Sequence, residues 1–244
     1  MIMEVKAAQP DIQPEKITVV MRNAELPEYV CEKIYTAYKG DPDFMAGLLH
    51  CLEGDYQLRA LIDKQHSLPD GYAPGDLVTL TGTGSFLVSR VGLALRRPAV
   101  TALEEMAEAS RAAGVTLVVS SAYRSYDYQV EVYNRIVREM GREAADRESA
   151  RPGFSQHQSG LAADFGSIDD SFAQTAAGCW IAANASRFGW SLSFPDGYEA
   201  VTGYRWESWH FRYVGKDLAA FIDKYFGGIQ QYALRFLHEW EKMR

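Results

Sequence analysis

The run Leu161-Ala162-Ala163-Asp164-Phe165 reads as a short buried strand, yet it carries an aspartate among apolar neighbours. An ionised carboxylate in such surroundings is costly unless it is paired or bound to a metal, so the fold must bring Asp164 a partner. Seven residues upstream, on a loop, stands His157 in the run Ser155-Gln156-His157-Gln158-Ser159-Gly160. A second unusual cluster, Trp206-Glu207-Ser208-Trp209-His210-Phe211-Arg212-Tyr213, holds a glutamate and a histidine three positions apart. In an unbroken strand Glu207 and His210 face opposite sides, whereas a turn or bulge at Ser208 brings both toward one cleft.

The rest of the chain supplies a mixed framework. Residues 1–16 are polar with two prolines and read as a loose arm. Helical spacing follows over 26–62: Val30, Ile34 and Tyr38 recur at i, i+4 and i+8, and Gly40-Asp41-Pro42-Asp43 separates two helices. Residues 66–76 are rich in turn formers. A helix is expected from Pro98 to Gly114, a strand over 116–121, and a helix from Ser125 to Met140. A further helix is expected over 172–188, strands over 190–194 and 205–213, and two closing helices over 217–226 and 229–243. Helices and strands do not alternate strictly, so the expectation is α+β, with a mainly antiparallel sheet flanked by helices. A helical extension over 1–63 precedes a catalytic domain over 64–244.

Composition excludes several classes. The 244 residues are 47% hydrophobic and 23% charged, and 25 basic against 32 acidic residues leave a net charge of −7. Such a chain lacks the positive field that nonspecific nucleic-acid binding needs. No apolar run approaches the ~20 residues of a membrane span, and the first ten residues lack the layout of an export signal. Cys31, Cys51 and Cys179 form no paired metal motif; either Cys31 and Cys51 join in an oxidising compartment or all three are free thiols. His50, His66 and His238 have no partner at ligand spacing. Tyr204, Trp206 and Trp209 suit either a cleft wall or the core, and Phe236, Leu237 and Trp240 form an apolar stripe that packing against the domain explains first.

Two imidazoles and one carboxylate make a usual open zinc set, with a fourth position left for water. A neighbouring carboxylate that does not ligate suits a general base. The same residues also suit structural histidines and a solvated strand glutamate, and spacing alone does not choose between these readings.

The motif Ser155-x-His157-x-x-Gly160-x-Ala162-x-Asp164, followed by Glu207-x-x-His210, resembles that of the zinc D-alanyl-D-alanine carboxypeptidases of the VanY type, including the related peptidoglycan L,D-carboxypeptidases. Ser120-Ser121-Ala122-Tyr123-Arg124-Ser125-Tyr126-x-x-Gln129 is similar to that family's upstream motif, with Ala122 where many relatives have glycine, and residues 209–215 resemble its last strand. The resemblance runs from about Lys64 to Gly215 and implies a zinc DD-peptidase/hedgehog-like fold. It implies Zn2+ held by His157, Asp164 and His210, with Glu207 as general base and then acid. Arg124 matches a cation near the scissile carbonyl and substrate carboxylate, and Gln129 and Ser155 match positions that help hold that carboxylate.

The implied activity is removal of the C-terminal D-alanine from peptidoglycan stem peptides, outside the cytoplasm. L,D cleavage of a tetrapeptide stem keeps the same fold and metal. A D,D-dipeptidase needs a grip on a free amino terminus, and none is identifiable. A silent peptidoglycan-binding module is expected to have lost a ligand or the base, and all four residues are present. The diamino acid of the stem and the oligomeric state are not specified by the sequence.

Overall fold

The structure, a computed structural model, describes residues 14–82 and 84–244. Residues 1–13 of the expected arm lie outside the described residues; from Pro14 onward the chain is helical. Four helices lead: α1 (Pro14–Asn23), α2 (Glu28–Gly40), α3 (Pro42–Glu53) and the single turn α4 (Tyr56–Arg59). Asp41 ends α2 and caps α3, its carboxylate accepting from the Asp43 amide at 3.0 Å ahead of a helix that begins with proline.

Three short strands follow, β1 (Leu77–Thr79), β2 (Phe86–Val88) and β3 (Ala94–Arg96), then α5 (Arg97–Ala112), β4 (Leu117–Ser121), α6 (Tyr126–Met140) and α7 (Arg142–Glu148). Next come β5 (Ala162–Phe165), α8 (Ala176–Asn184), β6 (Trp190–Leu192), α9 (Glu199–Thr202) and β7 (His210–Tyr213). Helices α10 (Lys216–Phe226) and α11 (Gln230–Lys242) close the chain. The main sheet runs β2-β4-β5-β7-β6, antiparallel except for the β2–β4 pair, while β1 and β3 form a separate antiparallel ribbon. The mainly antiparallel α+β expectation matches this arrangement. At three residues each, β1, β2 and β3 are too short for a period of two to register in the sequence.

Alternation along the strands gives the sheet two different faces. Ala163 and Phe165 of β5, Phe211 of β7 and Leu117 and Val119 of β4 join the apolar core with Leu103 and Met106 of α5. Asp164, His210 and Arg212 point the other way. A register irregularity between Val119 and Ser121 lets Ser121 pair with Asp164, and Ser121 lines the cleft with it. Such bulges re-aim side chains beside functional sites.

A second apolar core joins the two ends of the chain. Ile17, Val20, Ile34, Phe44 and Leu48 cluster with Phe221, Ile222, Phe236, Leu237 and Trp240. Residues 14–53 therefore share their core with α10 and α11, and the Phe236–Trp240 stripe packs inward. Arg212, fully buried on β7, ties this region to the sheet: its guanidinium donates to the carbonyls of Gln57 at 3.0 Å and Leu58 at 3.4 Å. Burial pushes its pKa down to about 10.

Two expected elements are broken. The helix over 172–188 is a 3-10 turn at 170–174, α8, and a second 3-10 turn at 185–188. Thr175 restarts it, its hydroxyl accepting from the Gly178 amide at 2.9 Å. A Cβ on Gly178 would stand 1.9 Å from the Phe172 carbonyl oxygen, so glycine permits the close turn. The strand over 205–213 shortens to β7, because the His210 amide donates to the Glu207 carbonyl at 3.1 Å and closes a turn at Ser208. All three cysteines are free.

Candidate metal centre and active site

His157 sits on a 3-10 turn, Gln156–Ser159, which ends at Gly160 with φ of 71°. A Cβ at Gly160 would come within 3.0 to 3.1 Å of Arg96, Leu77 and Pro74, so the motif glycine answers both the dihedral and the space. The turn places His157 Nδ1 2.7 Å from the Ala122 carbonyl oxygen. A carbonyl only accepts, so Nδ1 carries the proton and Nε2 presents a lone pair, 3.3 Å from Asp164 Oδ2.

His210 is held the opposite way round. Its Nε2 lies 3.2 Å from Gln156 Oε1, which also accepts from Ser193 Oγ at 2.7 Å. The amide oxygen fixes the proton on Nε2, leaving Nδ1 facing Asp164 Oδ1 at 3.1 Å and Glu207 Oε2 at 3.4 Å. Asp164 Oδ1 is buried and has no hydrogen-bond partner among the described residues. Close approach without a shared proton is what lone pairs gathered for a cation require.

His157, Asp164 and His210 are all buried, and one ligand atom from each lies within 4.8 Å of the others. Burial pushes the His157 imidazole down to about 4, with the Arg124 charge adding, so it is neutral and able to ligate at neutral pH. Burial opposes ionisation of Asp164, yet the two histidines around it hold its carboxyl well below the usual range. Two neutral imidazoles and a carboxylate fit zinc.

Glu207 stands beside the triad with its side chain 12% exposed. Burial pushes its carboxyl up to about 7, against the nearby His210 and with the Asp164 charge adding. A carboxyl poised there exchanges protons readily at neutral pH. Arg124 reaches Asp164 Oδ2 at 3.0 Å through Nη2, and Nε and Nη2 lie 3.1 and 2.9 Å from Ser121 Oγ.

These residues line one cleft of about 370 Å³, together with Gln129, Ser155, Phe194, Tyr204 and Trp209. The structure thus brings every site residue expected from the sequence to a single cavity. Gln129 Nε2 donates to the Ala150 carbonyl at 2.8 Å and to Ser149 Oγ at 3.3 Å, so its buried Oε1, without a partner among the described residues, remains as an acceptor, which departs from the carboxylate-holding role expected of Gln129. Ser155 is buried on the wall. Tyr204 and Trp209 face the cleft while remaining nearly buried, which unites the two roles weighed for them.

Gln156, the Ala122 carbonyl and Ser193 orient the ligands and were not singled out in the sequence. Gln156 occupies a position between two motif residues where side-chain identity carries no spacing signal. The other histidines do find partners: His66 Nδ1 lies 2.8 Å from Asp63 and its ring contacts His238, while His50 meets Asp217 at 3.0 Å on the surface. Sequence distance hid the His238 and Asp217 contacts, which come from the C-terminal helices, whereas Asp63 stands only three positions before His66 and corrects the expectation that this histidine has no partner at ligand spacing.

The profile of the VanY family, D-alanyl-D-alanine carboxypeptidase, matches residues 92–216, a span from just before β3 to the start of α10 that holds the whole triad and Glu207. The chain belongs to this family. The putative carboxypeptidase YodJ of Bacillus subtilis (strain 168) is 36% identical over 180 residues, covering 71% of this chain and 66% of that protein. The LdcB LD-carboxypeptidase structure, described as revealing the basis of peptidoglycan recognition, has 35% identity and a TM-score of 0.62, over 70% of this chain and 86% of that one. A mutant of the vancomycin-resistance D,D-pentapeptidase VanY, in complex with Zn(II), has 28% identity and a TM-score of 0.62, over 73% and 99%. The matches cover 32% to 66% of the length of the curated relatives. Among the described residues, no helix of this VanY-family chain is long and apolar enough to cross a membrane.

Proposed function

We propose that this chain is a zinc-dependent carboxypeptidase that removes the C-terminal D-alanine from peptidoglycan stem peptides, acting outside the cytoplasm in the periplasm or cell envelope. The carrying observation is the buried convergence of His157 Nε2, Asp164 and His210 Nδ1 with Glu207 alongside. Those three side chains would hold the zinc. When bound, the ion supplies Lewis acidity to the scissile carbonyl and acidifies the attacking water.

The protein's own residues supply the rest. Glu207 takes the proton of the attacking water on its carboxylate and returns it to the leaving amine of the terminal residue. Arg124 lies in the same cleft and presents a guanidinium to the carbonyl oxygen and the terminal carboxylate, with Ser121 fixing its plane. Ser155 adds a hydroxyl to the same wall, and the unpaired Gln129 Oε1 suits an N–H of the peptide. Residues 64–244 act as the catalytic domain and 1–63 as an N-terminal extension, whose helices from Pro14 onward pack against α10 and α11 and meet Arg212 on the sheet face that carries the site.

The second reading is L,D cleavage of a tetrapeptide stem, favoured by the likeness to the LdcB LD-carboxypeptidase at 35% identity. Mass spectrometry of pentapeptide and tetrapeptide stems, incubated separately with zinc-loaded and chelated protein, distinguishes the two. Zinc-dependent loss of one alanine from the pentapeptide alone is the expected result. Loss from the tetrapeptide alone assigns the L,D activity, and no loss from either rejects both.

A further inference from the structure

The cleft extends past the residues that perform the chemistry. One wall is a face of α6, where Tyr128, Gln129, Val132, Arg135, Ile136 and Met140 recur at helical spacing. Arg90, just beyond β2, also lines it. The lining sets four arginines, Arg90, Arg124, Arg135 and Arg205, against the carboxylates of Glu148, Asp164 and Glu207, besides the two histidines of the triad.

Two of these arginines are already engaged. Arg124 pairs with Asp164 at 3.0 Å, and Arg205 bridges Glu148 and Asp170, each at 2.7 Å. The other two are not. Arg90 has no carboxylate within 4.0 Å among the described residues, and its polar contact is the Tyr128 hydroxyl at 3.5 Å. Among the described residues, the one carboxylate Arg135 meets is Glu139, at 3.9 Å, one helical turn along on an exposed surface. Surface pairs at that separation contribute little. In a chain of net charge −7, the cleft thus holds one guanidinium with no carboxylate within 4.0 Å among the described residues and one with a single distant, exposed partner.

We propose that Arg90 and Arg135 form a subsite for a second carboxylate of the substrate peptide, carried two to three residues before its C-terminal residue. The proposal rests on the carboxypeptidase reading and deepens it. Gln129 and Arg135 are six positions apart on α6, which is about 9 Å at roughly 1.5 Å per residue. An extended peptide advances about 3.3–3.6 Å per residue, so that distance spans two to three residues. Val132, between them, and Ile136, next to Arg135, offer apolar contact to the aliphatic part of the peptide. Guanidinium recognises a carboxylate through paired N–H groups, and a carboxamide in the same place loses both the charge and half of the acceptor pair. The enzyme therefore selects stems whose upstream acidic group is free over stems in which it is amidated.

The test uses zinc-loaded full-length protein and matched peptides built on whichever stem terminus is cut. Each pair differs only by a carboxylate or a carboxamide on the side chain of the third or the fourth residue from the C terminus. The carboxylate at one of these positions is expected to lower KM by about three- to tenfold. Raising the salt to about 0.5 M should shrink that advantage, as expected of a partly exposed ion pair. In Arg90→Gln and Arg135→Gln the KM ratio of amide to acid should fall toward one, with zinc content and circular dichroism reporting that the fold is retained. Equal KM values for acid and amide in the wild-type protein at low salt overturn the subsite and leave the carboxypeptidase reading standing. A ratio unchanged in both folded variants assigns the preference elsewhere and also overturns it. Absence of turnover on every stem removes the parent reading, and the subsite with it.

Discussion

Gln156 accepts a hydrogen bond from His210 Nε2 at 3.2 Å and thereby decides which nitrogen of that imidazole faces Asp164. The oxygen is itself pinned by Ser193 Oγ at 2.7 Å, so its orientation is set before any metal arrives. Removing such a partner typically weakens metal binding by about 10–100-fold. Gln156→Leu should lose zinc affinity in that range by competition with a chromogenic chelator, while Gln156→Glu, which keeps the acceptor, should lose less. Equal affinity in Gln156→Leu and wild type would show that His210 needs no such partner.

Glu207 belongs to the proton path rather than to the ligand set. Glu207→Ala should keep stoichiometric zinc and lose turnover by about 10²–10⁴-fold, the range expected for a missing acid–base group. A variant that still turns over stems at the wild-type rate removes Glu207 from the mechanism.

His210 is expected to behave differently. His210→Ala takes away one of three ligand atoms that converge within 4.8 Å, and both bound metal and activity should be lost. Metal analysis after dialysis checks this, and wild-type zinc content in the variant would refute the assignment.

Stability of the metal-free protein should depend on pH through Glu207. Its folded carboxyl is raised by burial to about 7 from an ordinary value of 4.5. Between those two values the folded state binds the Glu207 proton and the unfolded state has released it, so the Glu207 contribution to stability falls as pH rises. His157, lowered from 6.5 to about 4, contributes in the opposite sense between those pH values. The Glu207 penalty is complete above about pH 7 and is on the order of 3 kcal/mol. Glu207→Gln should therefore gain stability relative to the wild-type apoprotein progressively between pH 4.5 and 7, and unfold at higher denaturant than it at pH 8. Parallel profiles for the two proteins would place the pH dependence elsewhere.

The site was more legible in the sequence than the fold around it. An aspartate inside an apolar strand announces its need for partners, and His157 and His210 stand in ordered motifs. The turn at Ser208 followed from asking how Glu207 and His210 can reach one cleft. Gln156 was invisible because its role depends on which His210 nitrogen is free, and that is decided by three-dimensional contact. The break at Thr175 was hidden for another reason: the apolar run from 172 to 188 continues across it, and only the close approach of Gly178 to the Phe172 carbonyl shows where the helix restarts. The strands β1, β2 and β3 are likewise made by their neighbours.

The union of the two chain ends also governs the order of assembly. Lys16 reaches the Met243 carbonyl at 3.2 Å across 227 positions, and α1 shares its core with α11. As the chain leaves the ribosome, the apolar faces of α1 to α3 have no permanent partner until α10 and α11 emerge. Contacts of such long sequence separation form slowly and leave apolar surface exposed to aggregation meanwhile. The metal-bearing strand β7 is made just before those helices, so the synthesis of α10 and α11 seals the helical layer beside the metal site.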